Sequence, residues 1–246
     1  MNRFHDIGIS ARLDRQRIRK LLAIGFFASL LHVTGDMILG WGVEDETASG
    51  ILRIFSAYTA TPDGGILAAA LLGLFGMALE GLSCFGIYRL MAEQAPGLAH
   101  SYRAGIFGYL MFGACGFHVP VCALVFLTKH GLADALALKY AAYFLLPAYV
   151  LFWIFFAVLE ITHIRAFAGG KTPYPKWCWI FSMPVGMLIA ILPKLFGNYP
   201  FGNALFCAWI AIGNLWTFGG LLILMKKGKA LTHRQRKSFV SARKAI

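Results

Sequence analysis

Three carboxylates stand where an apolar segment should not tolerate them. Asp36, Glu80 and Glu160 fall inside long apolar stretches, accompanied by His32, His118 and His163, with Asn214 in the last stretch and Lys194 at the end of the fifth. An ionisable group at the centre of a bilayer costs at least ~2.5 kcal/mol on insertion scales, so such residues turn inward, pair with one another and mark a site. A buried carboxylate can hold or donate a proton, and a histidine exchanges one near neutral pH. Together the two types are also oxygen and nitrogen ligands for a metal.

The elements that must position them are helices. Hydrophobic residues make up 59% of the 246 positions and charged ones 14%, where a soluble domain runs near a quarter charged. Runs of about 20 apolar residues suit membrane helices and are too long for the alternating strands of a barrel. The sequence predicts an all-α polytopic membrane bundle with six spans, near 20–41, 65–89, 104–128, 138–165, 176–196 and 203–225. A basic N-terminal segment (1–19) and a basic tail (226–246) flank the transmembrane domain (20–225). Of the 23 Lys and Arg residues, only Arg53, Lys129, Lys139 and Lys194 fall on one side of this reading. Positively charged loops stay inside, so both termini are expected in the cytoplasm. The first apolar run meets no small-x-small cleavage site before Glu44 and is expected to stay as an anchor. No organelle address is legible, and a bacterial inner membrane is the most economical location.

Depth sorts the polar residues. A helix rises about 1.5 Å per residue, which places His32 and His118 slightly outward of the middle and Asp36 in the outer third. Glu80 and Asn214 fall at the middle or slightly inward. His32 and Asp36 share a helical face by their four-residue spacing. These five are expected to converge on one outward-opening cavity, with Lys194 as a partner for Asp36. Glu160 and His163 belong elsewhere, near the cytoplasmic edge beside Arg165. Their Glu-x-x-His spacing matches the ligand pattern of di-metal bundles, but the partner carboxylates are about a helix length away. Glu160 is therefore expected to pair with Arg165 or reach water.

Other features sharpen the expectation. Gly73, Gly76, Gly81 and Gly86 in span two, and Gly105, Gly108, Gly113 and Gly116 in span three, permit close helix approach, which predicts a tight seam between those two helices. Span four, with Tyr149, Phe152, Trp153, Phe155 and Phe156, is expected to face lipid. Pro120, Pro147, Pro184 and Pro193 should bend their helices. Ile51, Ile54, Phe55 and Tyr58 recur at helical spacing, and a short interfacial helix there could cap the bundle's outer mouth.

Several classes fall away. The net charge of +12 sits in the cytoplasmic fringes, where it retains loops and attracts anionic lipid headgroups, so nucleic acid is not an expected partner. The five cysteines form no C-x-x-C pair, which argues against a disulfide exchanger, a thiolate metal site and c-type haem attachment. No internal repeat joins the halves.

The stretch His32-Val-Thr-Gly-Asp36-Met-Ile-Leu-Gly-Trp41 resembles the first helix of an uncharacterised bacterial family of multi-span inner-membrane proteins with a Gly-Asp signature there. The resemblance implies a helical bundle with Asp36 in its polar core and carries no activity. Three functions remain open. A transporter or binding protein for a small molecule, ion or proton would use Asp36, Glu80, His32, His118 and Asn214, and dimerisation would help so few spans. An intramembrane enzyme on a lipid or isoprenoid would use a carboxylate acid and a histidine base, or a metal on His32, Asp36, Glu80 and His118. A haem between His32 and His118 fits by depth, without a motif. A structural subunit would tolerate Asp36→Asn.

Overall fold

The computed structural model describes residues 11–227, and every regular element among them is helical. The basic segments 1–10 and 228–246, with the lipid contacts expected of them, lie outside the described residues. Among the described residues, four helices are long and apolar enough to cross a membrane. α1 (Ala11–Leu39) packs most extensively on α3 (Asp63–Ala92). The third, Pro96–Lys129, joins α4 (Pro96–Gly108) to α5 (Val119–Lys129) through a π-helical segment, Tyr109–His118. The fourth, Asp134–Ala168, joins α6 (Asp134–Tyr140) to α7 (Leu146–Ala168) through a shorter one, Ala141–Leu145. α9 (Pro200–Cys207) and α10 (Trp209–Lys227) meet at 65° and make a fifth crossing if counted as one.

The fifth apolar stretch differs from expectation. Residues 176–196 divide into a 3-10 turn (Lys176–Ile180), α8 (Met183–Ile191) and a second 3-10 turn (Leu192–Phe196). Pro184 stands in the first turn of α8 and Pro193 in that of the second 3-10 segment, where the missing N–H costs least. Met183–Phe196 is a short apolar helix, below the length of an ordinary span.

Packing inverts the pattern of a soluble protein. Phe27, Phe75, Phe107 and Phe144 are exposed, while His32, Asp36, Glu80 and Asn214 are buried. At one pole the Arg15 guanidinium donates to the Met225 carbonyl (3.2 Å), joining the start of α1 to the end of α10. At the other, Lys129 reaches Asp63 (3.1 Å) and the Thr61 carbonyl (2.6 Å), joining the end of α5 to the start of α3. α2 (Gly50–Thr59) lies at this second pole.

Two packing expectations hold only in part. The glycines of the third helix receive the fourth: a Cβ on Gly105 would meet Leu159, and one on Gly108 would meet Phe155. Spans two and three do approach closely, since a Cβ on Gly73 would meet His118, one on Gly81 Leu110 and one on Gly113 Met77, but the most extensive packing is between α1 and α3, where Gly76 lies against His32 and Gly86 against Leu21. On α7, Phe152 and Phe156 are buried in the core, Trp153 and Phe155 are half-buried, and Tyr149 is exposed.

Pro120 and Pro147 each follow a π segment by two residues, and their helices continue through them. A proline removes one donor and crowds the preceding turn, and a widened turn accommodates both.

Candidate functional site

The polar centre is assembled on a floor of small residues. A Cβ on Gly73 would come within 1.9 Å of His118 Nε2, and one on Gly76 within 2.7 Å of His32 Cβ. Glycine at 73 leaves room for the His118 imidazole, and glycine at 76 for the backbone and Cβ of His32. α1 supplies His32 and Asp36, one turn apart, with His32 Nε2 to Asp36 Oδ2 at 3.2 Å. α3 supplies Glu80, and α10 supplies Asn214.

The π segment contributes both of its ends. Nine residues of α-helix, at about 100° each, would set Tyr109 and His118 on opposite faces. The wider i→i+5 turn, at roughly 82° per residue, returns them to within about 20° of one face. This distortion brings Tyr109 into the site.

Glu80 is fully buried and its Oε2 accepts three hydrogen bonds: from His32 Nδ1 (3.0 Å), Tyr109 Oη (2.9 Å) and Asn214 Nδ2 (2.9 Å). Asn214 also donates to Tyr109 Oη (2.8 Å), which frees the tyrosine proton for the carboxylate. That is the acceptor-only pattern of a carboxylate held by donors from three other segments. His118 directs Nε2 at the Ala69 carbonyl (3.1 Å) and Nδ1 at Asp36 Oδ1 (3.6 Å). The two imidazoles stand edge to face, with centroids 5.7 Å apart.

An apolar cavity of about 540 Å³ opens against His32, Asp36 and His118. Its volume lies within the range of small-molecule pockets, about 300–1,000 Å³. Phe117, Tyr149, Trp153 and Trp209 contribute aromatic walls, and the second π segment adds Ala141, Ala142 and Leu145. Ile51, Ile54, Phe55 and Tyr58 of α2 also line it, in the capping position expected of that helix. The arrangement suits a mostly apolar molecule with one polar end.

The structure thus brings together His32, Asp36, Glu80, His118 and Asn214. Lys194 does not join them. Its ammonium donates to Glu44 Oε1 (2.6 Å) and to Asn203 Oδ1, and Arg53 Nε holds the other Glu44 oxygen at 3.1 Å. Asn198 and Asn203 complete the strap by bonding the Glu44 and Gly42 carbonyls. Burial works to raise the Glu44 pKa, but hydrogen bonds from Lys194 and Arg53 outweigh it and hold the group below the ordinary carboxylate value. Lys194 misses Asp36 because a nearer carboxylate takes it.

Glu160 and His163 also depart from expectation. Both are buried, and Glu160 Oε2 accepts the Met183 backbone N–H (3.1 Å) instead of pairing with Arg165. Glu160 therefore caps the first turn of α8, where orphan backbone donors favour a carboxylate. Its Oε1 and both His163 nitrogens have no hydrogen-bond partner among the described residues.

The model of a family of unknown function, DUF6796, matches residues 4–228. The chain belongs to this family. No curated protein and no solved structure matches it. Membership covers all the elements that build the site, and what the family does must be argued from the geometry.

Proposed function

We propose that this family member is an integral membrane protein that binds a lipophilic small molecule within the bilayer, with the polar end of the ligand at Asp36 and His118. One observation carries the reading: an apolar cavity of about 540 Å³ meets a buried carboxylate and two imidazoles at its polar end. Such a site orients a ligand by few polar contacts and holds it by burial. Transport of that molecule, or of an ion with it, is the use we favour. α2 is the element placed to gate entry. A second reading, an enzyme acting on a lipid or isoprenoid, draws support from the same convergence, since Asp36 and a histidine could exchange protons with a bound substrate.

The membrane arrangement proposed with it has six crossings and both termini inside, in a bacterial inner membrane. α8 with its flanking 3-10 turns makes a short fifth crossing, and bent α9–α10 makes the sixth. The Lys and Arg asymmetry supports this orientation, and basic termini on anionic lipid and a homodimer would complete it.

The test is occupancy. Mass spectrometry of gently purified protein should find a lipophilic molecule in near-equimolar amount, and Val121→Trp, which fills the cavity, should lose it. Equal occupancy in a folded Val121→Trp protein would defeat the proposal.

A further inference from the structure

The geometry points to a divalent transition-metal ion bound by His32 Nε2, Asp36 and His118 Nδ1 at the polar end of the cavity. The inference rests on the cavity being the functional site and adds what stands at its polar end. The first argument is the direction of the imidazoles. Glu80 Oε2 and the Ala69 carbonyl are acceptors, so His32 Nδ1 and His118 Nε2 carry the protons they donate. A metal-binding histidine has this arrangement: one nitrogen fixed by a carboxylate or backbone carbonyl, the other free to ligate. Here both histidines have it, one with each type of partner.

The second argument is distance. One donor atom from each of His32, Asp36 and His118 lies within 4.8 Å of the other two. The nearest approaches, 3.2 Å and 3.6 Å, run from His32 Nε2 and His118 Nδ1 to Asp36. Metal bonds of about 2.0–2.2 Å set tetrahedral ligand edges near 3.4 Å, so the trio needs little adjustment.

The third argument is charge. Asp36 and Glu80 are buried together, and among the described residues no Lys or Arg pairs with either. The nearest lysine that sequence offered, Lys194, is committed to Glu44. With neutral imidazoles, one divalent ion balances both carboxylates. Two nitrogens and an oxygen suit zinc and its first-row neighbours rather than magnesium or calcium. Three protein ligands leave a coordination position for a water or for the polar end of a cavity ligand. Glu80 is a positioning residue, because it acts through His32.

The experiment uses full-length protein in detergent, stripped with a chelator and titrated with Zn²⁺ and with Co²⁺. We expect one ion per chain, and a Co²⁺ visible spectrum of a low-coordinate nitrogen and oxygen site. Asp36→Asn and His118→Ala should abolish both signals, Glu80→Gln should weaken affinity about 10–100-fold, and Glu160→Gln should leave it unchanged. A folded wild-type protein that takes up no stoichiometric ion overturns the inference, as does a Co²⁺ spectrum indifferent to Asp36→Asn. Val121→Trp separates this from the ligand proposal: it should lose the lipophilic molecule and keep the metal. Metal without a lipophilic ligand sinks only the ligand reading, and ligand without metal sinks only the metal.

Discussion

Two buried carboxylate–histidine sets occupy this molecule, and they are built differently. Around Glu80, one oxygen collects donors from α1, the π segment and α10, and the neighbouring imidazoles face a cavity. Around Glu160, one oxygen takes a single backbone N–H, and neither nitrogen of His163 has a hydrogen-bond partner among the described residues. Burial is nearly equal, with Glu80 at 0% and Glu160 at 2% exposed. Burial therefore does not tell the two sets apart. The number of converging donors and access to a cavity do.

The comparison is broken most directly by exchanging the histidines for leucine. His32→Leu removes a donor from Glu80 and the neighbour of Asp36, and should cost about 3 kcal/mol or more. His163→Leu removes a ring with no hydrogen-bond partner among the described residues and keeps an apolar side chain against Phe167, and should change stability by less than about 1 kcal/mol in either direction. Thermal unfolding in detergent checks both, and equal losses would erase the distinction. Next in size is Gly73→Ala, whose Cβ has no room beside His118. Overpacking there should cost about 1–3 kcal/mol and displace the imidazole, so ligand occupancy should fall with stability. Gly116→Ala, which meets Ala148 at 3.2 Å, should be milder.

Smaller effects sharpen the other side. Glu160→Ala uncaps α8 and should cost about 1 kcal/mol, while Glu160→Gln keeps an acceptor and should recover most of it. If Gln behaves like Ala, the charge at Glu160 matters beyond the cap. The least effect belongs to the Glu44 strap, about 1 kcal/mol at most for a partly exposed pair. Glu44 has a folded pKa below its unfolded value near 4.5. Its contribution is thus full above that unfolded value and is lost as pH falls through the folded one. An acid midpoint that disappears in Glu44→Gln, with ligand occupancy at neutral pH unchanged, would keep strap and centre separate.

Much of the architecture was legible before any coordinates. Apolar run length gave the helices, and the cost of buried charge singled out His32, Asp36, Glu80, His118 and Asn214. Tyr109 was not legible, because α-helical periodicity puts it opposite His118, and only the π segment turns it inward. Gly73 and Gly76 read as packing residues, yet the neighbours they admit are the His118 imidazole and the backbone that carries His32. Lys194 was assigned to Asp36 by depth, and depth says nothing about the loop that brings Glu44 nearer. The breaks within the fifth stretch were not legible, because composition counts apolar residues and does not show where prolines restart a helix.

The central claim is that chemistry resides at Asp36 and the cavity, while Glu160 serves the fold. Native mass spectrometry of wild type, Asp36→Asn and Glu160→Gln, all verified as folded, tests it most directly. The account predicts a bound lipophilic molecule in wild type and Glu160→Gln, and its loss in Asp36→Asn. Full occupancy in Asp36→Asn, or loss in Glu160→Gln alone, would contradict it.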